Sequence, residues 1–213
     1  QLLSLVTPQR TEDSDRMRAF ESFRANRHTP STLLEPQGSF VRELRSAIPN
    51  DGILVTDMTQ VGYYSRTYYK TYEPRTFMTS SYFGNLGYAY PTGLGAKVAC
   101  PDKAVVTISG DGGFLFNSQE LATAVAEDIG VVAVVFRDDA YGNVLRDQQN
   151  KFDGREVGSR LHNPDFVKLA ESYGVSGTRV ESPTELGVAL KKAIQLNRPA
   201  LIEVPVGPMP SGF

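Results

Sequence analysis

Two aspartates pose the chemical question. Asp111 sits in Ser109-Gly110-Asp111-Gly112-Gly113, and 27 residues later Asp138 sits in Arg137-Asp138-Asp139-Ala140-Tyr141-Gly142. Each turn follows an apolar run, Ala104–Ile108 in the first case and Val131–Phe136 in the second, with a helix-compatible segment between them. Strand, glycine turn, helix, strand and turn, laid into an open parallel sheet, put both turns at the carboxyl ends of strands, where ligands bind. Asp111 and Asp138 can therefore face one point. Two hard oxygen ligands, a carbonyl from an adjoining turn and bare backbone N–H groups suit Mg²⁺ bridging to a phosphate or diphosphate. The flanking glycines would permit positive φ and a close approach of backbone to phosphate. Taken alone, Asp111 also fits a helix N-cap that needs no metal, and Asp139 fits a turn former better than a ligand.

The elements that must position these groups can be read along the chain. Thr11–Arg27 mixes alternating charge with Met17, Phe20 and Phe23 at helical spacing, and predicts an amphipathic helix followed by a linker through His28-Thr29-Pro30-Ser31. Ser39–Ile48 reads as a helix stopped by Pro49-Asn50-Asp51-Gly52, and Ile53–Thr56 as a short buried strand ending at Asp57-Met58-Thr59-Gln60. A tyrosine-rich helix, strand Phe77–Ser80, the spaced glycines of Gly84-Asn85-Leu86-Gly87 and helix Tyr88–Ala99 follow. After strand Ala104–Ile108 come helix Ser118–Glu127, strand Val131–Phe136 and a turn-rich insert, Asn150–Leu161. Helix Pro164–Tyr173 has Asn163 as its expected N-cap and Gly174 as its stop, and Val175–Val180, helix Pro183–Leu196 and strand Ala200–Val204 complete the pattern. Six strands alternating with helices predict a doubly wound α/β fold, its sheet mainly parallel with helices on both faces. The expected organisation is a linker and helix over 1–34, one domain over 35–205 and a tail over 206–213.

Gly110-Asp111-Gly112, with a second oxygen-bearing side chain 27 residues after the aspartate, resembles the thiamine-diphosphate fingerprint. That fingerprint marks the diphosphate-binding domain of the acetolactate synthase and pyruvate decarboxylase superfamily. The similarity extends through Leu34-Glu35-Pro36-Gln37, Gly84-Asn85-Leu86-Gly87, Tyr141-Gly142-Asn143-Val144 and Asn163-Pro164-Asp165-Phe166, covering roughly residues 35 to 210. The resemblance implies thiamine diphosphate and Mg²⁺ as cofactors, with Asp111, Asp138 and the Ala140 carbonyl on the metal. It implies that Asp57, Thr59 and Gln60, Gly110, Gly112 and Gly113, and Tyr141, Gly142 and Asn143 surround the diphosphate. At the other end of the cofactor, Gly84 and Asn85 flank Leu86, whose bulk would wedge the cofactor into a bent shape while the Gly84 carbonyl meets its amino group. For Thr59 and Gln60 a plain N-cap and surface role stays open, and for Leu86 a core role. Asp138 stands where the family usually has Asn, adding a negative charge beside the diphosphate. Helix Val144–Gln149 should line the substrate side, with Val144 and Asp147 foremost. Acetolactate synthases typically carry a Trp at the place of Asp147, and this chain has no Trp. That difference favours a relative acting on another small 2-oxo acid.

In the resembling family a glutamate on a separate pyrimidine-binding domain activates the cofactor, and nothing in these 213 residues resembles that domain. Starting at Gln1 rather than Met, the chain reads as a fragment or processed piece that needs such a domain or subunit, with a homo-oligomer expected. Two other readings stand beside it: a separate subunit of a split 2-oxo acid decarboxylase or oxidoreductase, and a non-catalytic α/β binding module. Composition narrows the classes further. A formal charge of −2 argues against nucleic acid, and no apolar run approaches the roughly 20 residues of a membrane span. Cys100 is the single cysteine, which excludes an intrachain disulfide and, with no signal-peptide pattern, fits the cytoplasm. His28 and His162 have no Ser or Cys elbow beside them, and neither G-x-x-x-x-G-K-[ST] nor a strand-borne G-x-G-x-x-G occurs.

Overall fold

A computed structural model describes residues 14–27, 34–80 and 82–210. The chain divides into two units, Gln1–Leu34 and Glu35–Phe213. In the first, α1 spans Ser14–Arg27 and carries an exposed Asp15–Arg18 ion pair one turn apart. The expected helix start at Thr11 and the linker at 28–33 lie outside the described residues, as does His28.

The second unit runs α2 (Gln37–Ala47), β1 (Ile53–Thr56), α3 (Gln60–Tyr68), β2 (Phe77–Thr79), α4 (Ala89–Ala99) and β3 (Val105–Gly110). It continues with α5 (Asp111–Leu115), a 3-10 turn at Ser118–Glu120, α6 (Leu121–Ala126), β4 (Val131–Arg137), α7 (Gly142–Lys151), α8 (Phe166–Ser172), β5 (Ser176–Arg179), α9 (Pro183–Leu196) and β6 (Ala200–Pro205). All six strands are parallel, in the order β2-β1-β3-β4-β6-β5. β3 and β4 are buried over nearly their whole length, β4 as an apolar run up to Phe136, because both faces of a parallel sheet are covered. On one face Val55, Val105, Val131, Ala133 and Val135 share a core with Tyr90, Leu94, Phe114, Leu121 and Phe166. On the other, Phe136 meets Phe40 of α2 edge to face at 5.3 Å. Burying each such side chain contributes about 1.5–3 kcal/mol, so the sheet is a rigid platform for whatever its strand ends carry.

Local signals explain the boundaries. Ile48 leaves α2 in an extended conformation because Pro49 disfavours the helical region for the residue before it. α9 has Ser182 as N-cap accepting from the Glu185 N–H, Pro183 in the first turn, and Asn197 in the left-handed region at its end. α8 differs from expectation. Its N-cap is Asp165, which accepts from Lys168 N at 3.1 Å, and Asn163 is released for another contact. The expected helix Ser118–Glu127 is divided between the 3-10 turn and α6. Among the described residues no helix is long and apolar enough to cross a membrane.

Candidate functional site

The strand order reverses between β1 and β3: the chain leaves β1 for β2 on one side and returns through α4 to β3 on the other. Ligands of doubly wound sheets bind in the crevice outside the carboxyl ends at such a point. A cavity of about 380 Å³ lies there. Its walls come from the turn after β1 (Met58, Thr59) with Gln60 and Tyr63 of α3, and from Gly84 and Leu86. Gly110–Gly113 after β3, Asp138 and Ala140 to Val144 after β4, and Met209 beyond β6 complete them.

Asp111 opens α5 directly after β3 and is buried. Its Oδ1 accepts from Gly112 N at 2.8 Å, and its Oδ2 accepts from Asp139 N at 2.8 Å and Asn163 Nδ2 at 2.7 Å. Burial raises its pKa above the ordinary carboxylate value in spite of these donors. Asp138, half-buried at the end of β4, accepts from Gln60 Nε2 at 2.9 Å. Burial first, and the charge of Asp111 with it, push the Asp138 carboxyl up to about 6. Gln60 itself donates to the Gly207 carbonyl at 2.8 Å and accepts from Gln37 at 2.9 Å. Ala140 pairs with Arg160 as an isolated antiparallel bridge whose bonds run from Tyr141 N to Ser159 O and from Leu161 N to Asp139 O. Flanking residues carry those bonds, so the Ala140 carbonyl faces away from 159–161. The first N–H groups of α7 have no side-chain cap, and with the helix dipole they present a positive end to the cavity.

The glycines matter through closeness rather than through positive φ. Gly110, Gly112 and Gly113 do not use the positive φ open to them. A Cβ on Gly112 would stand 2.5 Å from the Tyr141 ring, one on Gly113 3.0 Å from Asp57 Oδ2, and one on Gly142 2.4 Å from Asp138 Oδ2. Gly84 does adopt a positive φ, 62°, which turns the chain between Ser80 and Leu86.

The arrangement brings together most of the residues singled out in the sequence and leaves three outside the cavity lining. Asp57 is buried behind the wall: Met58 N and Gly87 N donate to it at 3.2 and 3.0 Å, so it anchors the Gly84–Gly87 loop to β1, and burial raises its pKa. Asn85 offers its carbonyl to the Ser80 hydroxyl at 3.3 Å. Asp147 turns away along α7 to pair with Lys151 at 2.9 Å. Asp139 adopts φ 56°, as a turn former does, and pairs with Arg137 at 2.8 Å. Four residues were missed. Tyr63 lies three residues after Gln60 on one face of α3, a spacing that the sequence already contained. Met58 and Met209 carry no local signal. Residues 206–210, expected to be a tail, run along the site, with Gly207 bonded to Gln60 and Pro210 O accepting from Arg146 at 3.1 Å. Asn163 was read as a helix cap.

The residues present fit a cation joined to a diphosphate. Burial raises the pKa of both carboxyls, with the charge of Asp139 adding to the rise at Asp111 and that of Asp111 to the rise at Asp138, so negative charge is concentrated at this point. Among the described residues no group of three or more His, Cys, Asp or Glu side chains could hold a metal, so backbone and ligand oxygens would complete the sphere. Gly110, Gly112 and Gly113 add backbone without side chains to the cavity wall.

Residues 57–204 match the family model described as thiamine pyrophosphate enzyme, C-terminal TPP binding domain. The chain is 40% identical over 182 residues to a probable acetolactate synthase large subunit of Methanococcus aeolicus, covering 82% of this chain and 30% of that protein. It is 39% identical over 166 residues to the acetolactate synthase of Bacillus subtilis, covering 78% of this chain and 29% of that one. A solved thiamine diphosphate-dependent 4-hydroxybenzoylformate decarboxylase of Rhodococcus jostii superposes with a TM-score of 0.74 at 28% identity, over 80% of this chain and 32% of that one. The chain thus spans about 30% of the length of the curated relatives it matches. It belongs to the thiamine pyrophosphate enzymes and comprises their C-terminal TPP-binding domain.

Proposed function

We propose that this domain holds the diphosphate end of thiamine diphosphate through Mg²⁺, within an acetolactate synthase-like enzyme that decarboxylates or ligates small 2-oxo acids. The observation that carries the reading is the meeting of Asp111, Asp138 and the Ala140 carbonyl with the uncapped start of α7 at the β1–β3 crevice. Asp111 and Asp138 neutralise the cation, Ala140 adds a carbonyl oxygen, and the N–H groups of Gly142 and Asn143 meet phosphate oxygens. Gln60 steadies Asp138 and ties it to the 206–210 segment. Leu86, Met58 and Met209 provide the apolar wall, and Leu86 would lie against the cofactor. When bound, thiamine diphosphate supplies the electron sink for decarboxylation of a 2-oxo acid. The domain's own residues bind, orient and shield. The activating glutamate comes from a pyrimidine-binding domain or subunit, so this chain alone is inactive, and a homo-oligomer places the two kinds of domain together.

Thermal unfolding tests the reading. Thiamine diphosphate with Mg²⁺ at about 100 times Kd stabilises a one-site binder by about 2.7 kcal/mol, visible as an upward shift in Tm. Asp111→Ala should remove that shift. A variant that keeps it would refute the metal assignment.

A further inference from the structure

A carboxylate offers about four lone-pair directions to donors and cations. In Asp111 three are taken: Gly112 N on Oδ1, and Asp139 N and Asn163 Nδ2 on Oδ2. Two of these donors are backbone, placed by β3, α5 and the turn after β4. The third is a side chain that arrives from 52 residues further on and does not line the cavity. Its second amide hydrogen goes to Asp139 Oδ1 at 2.8 Å. Asp139 is gripped by Arg137 Nη1, Arg137 Nε reaches the buried Glu203 Oε1 at 2.7 Å, and Arg179 holds the other Glu203 oxygen at 2.8 Å. Asn163 thus stands at the end of a frame of charge-assisted bonds spanning β4, β6 and β5. Both its hydrogens meet carboxylate oxygens, which decides the amide orientation, since an amide oxygen there would face two anions. The same orientation leaves Asn163 Oδ1 buried without a partner among the described residues. A side chain retained only for packing has no reason to carry that unpaired oxygen.

We infer that Asn163 is a positioning residue for the cation site, turning the Asp111 carboxylate so that Oδ1 keeps one free lone-pair direction for the metal. The inference rests on the Mg²⁺–diphosphate reading. Partners that orient a metal ligand typically contribute about 10–100-fold to metal affinity. The test measures Mn²⁺ affinity of the intact chain, with thiamine diphosphate present, for the wild type, Asn163→Ala, Asn163→Ser and Asn163→Asp, alongside Tm in EDTA. Alanine should weaken Mn²⁺ binding by about 10–100-fold with little change in Tm, and serine, which keeps one donor, should fall between alanine and wild type. Aspartate, nearly isosteric but bringing a third carboxylate against Asp111 and Asp139, should bind worse than alanine at pH 7.5. If Asn163 only filled space, aspartate would lie nearer wild type than alanine; that order, or unchanged affinity in the alanine and serine variants, overturns the inference. Absence of metal-dependent binding in the wild type itself overturns the Mg²⁺–diphosphate reading, and this inference with it.

Discussion

Asp138 shows what a buried acid beside another acid costs the fold. Its carboxyl is raised from 3.8 to about 6, chiefly by burial and secondarily by the charge of Asp111. A raised folded-state pKa means that the folded chain binds the proton more tightly than the unfolded chain. The stabilisation is therefore complete below 3.8 and is lost as pH rises through about 6. In EDTA, the Asp138 contribution should lower Tm across that window, and Asp138→Asn, which keeps an oxygen for Gln60 but has no charge, should flatten the profile and unfold at higher temperature at pH 7.5. Equal profiles for the two proteins would contradict the assignment of the charge. Asp57 makes a different prediction because its partners are N–H groups rather than another acid. Asp57→Ala strands buried donors and should cost about 1–3 kcal/mol, measured by denaturant unfolding, while Asp57→Asn keeps an acceptor and costs less. At this scale the two metal-ligand candidates were legible, since a carboxylate after each of two apolar runs needs only topology to bring them together. Asn163 was not legible: Asn before Pro is an ordinary helix start, and the donor role exists only once β4 and the 159–163 segment lie side by side.

Among the elements, α7 joins the proposed anion site to the proposed metal ligands. Gly142 opens the helix so close to Asp138 that an added Cβ would lie 2.4 Å from Oδ2 and 3.2 Å from the Met209 Cβ. Gly142→Ala should therefore displace Asp138 from Gln60 and weaken Mg²⁺-dependent cofactor binding, with an overpacking cost of about 1–3 kcal/mol in stability. Unaltered binding by calorimetry would mean that Asp138 has room to move without consequence. The strands were readable because a parallel sheet buried on both faces demands apolar runs, and β1 and α9 begin and end where their residues predict. Short helices were harder. α5 starts on the very glycine run that reads as a turn, and its reason is contextual: Gly112 and Gly113 lie against Tyr141 and Asp57, where a side chain would not fit. The 206–210 segment has two prolines, one glycine and no periodicity, yet Gln60 and Arg146 hold its carbonyls against the site. Long-range hydrogen bonds of this kind leave no trace in local pattern.

For the molecule as a whole, the chain covers about 30% of the length of its curated relatives. Tyr82 and Phe83 are 90% and 87% exposed and stack edge to face, and Phe116 is 57% exposed. A contiguous exposed aromatic pair of this kind is a candidate contact surface for another chain. The isolated chain should self-associate in sedimentation, and Tyr82→Ser with Phe83→Ser should shift it towards monomer; a wild-type monomer at all concentrations would count against an interface there. The central claim concerns the diphosphate. Its most direct measurement is calorimetric titration of thiamine diphosphate into the pure chain, first with Mg²⁺ and then with EDTA. The account predicts one site per chain that requires Mg²⁺. Binding of equal strength in EDTA, or no binding in either condition, would contradict it.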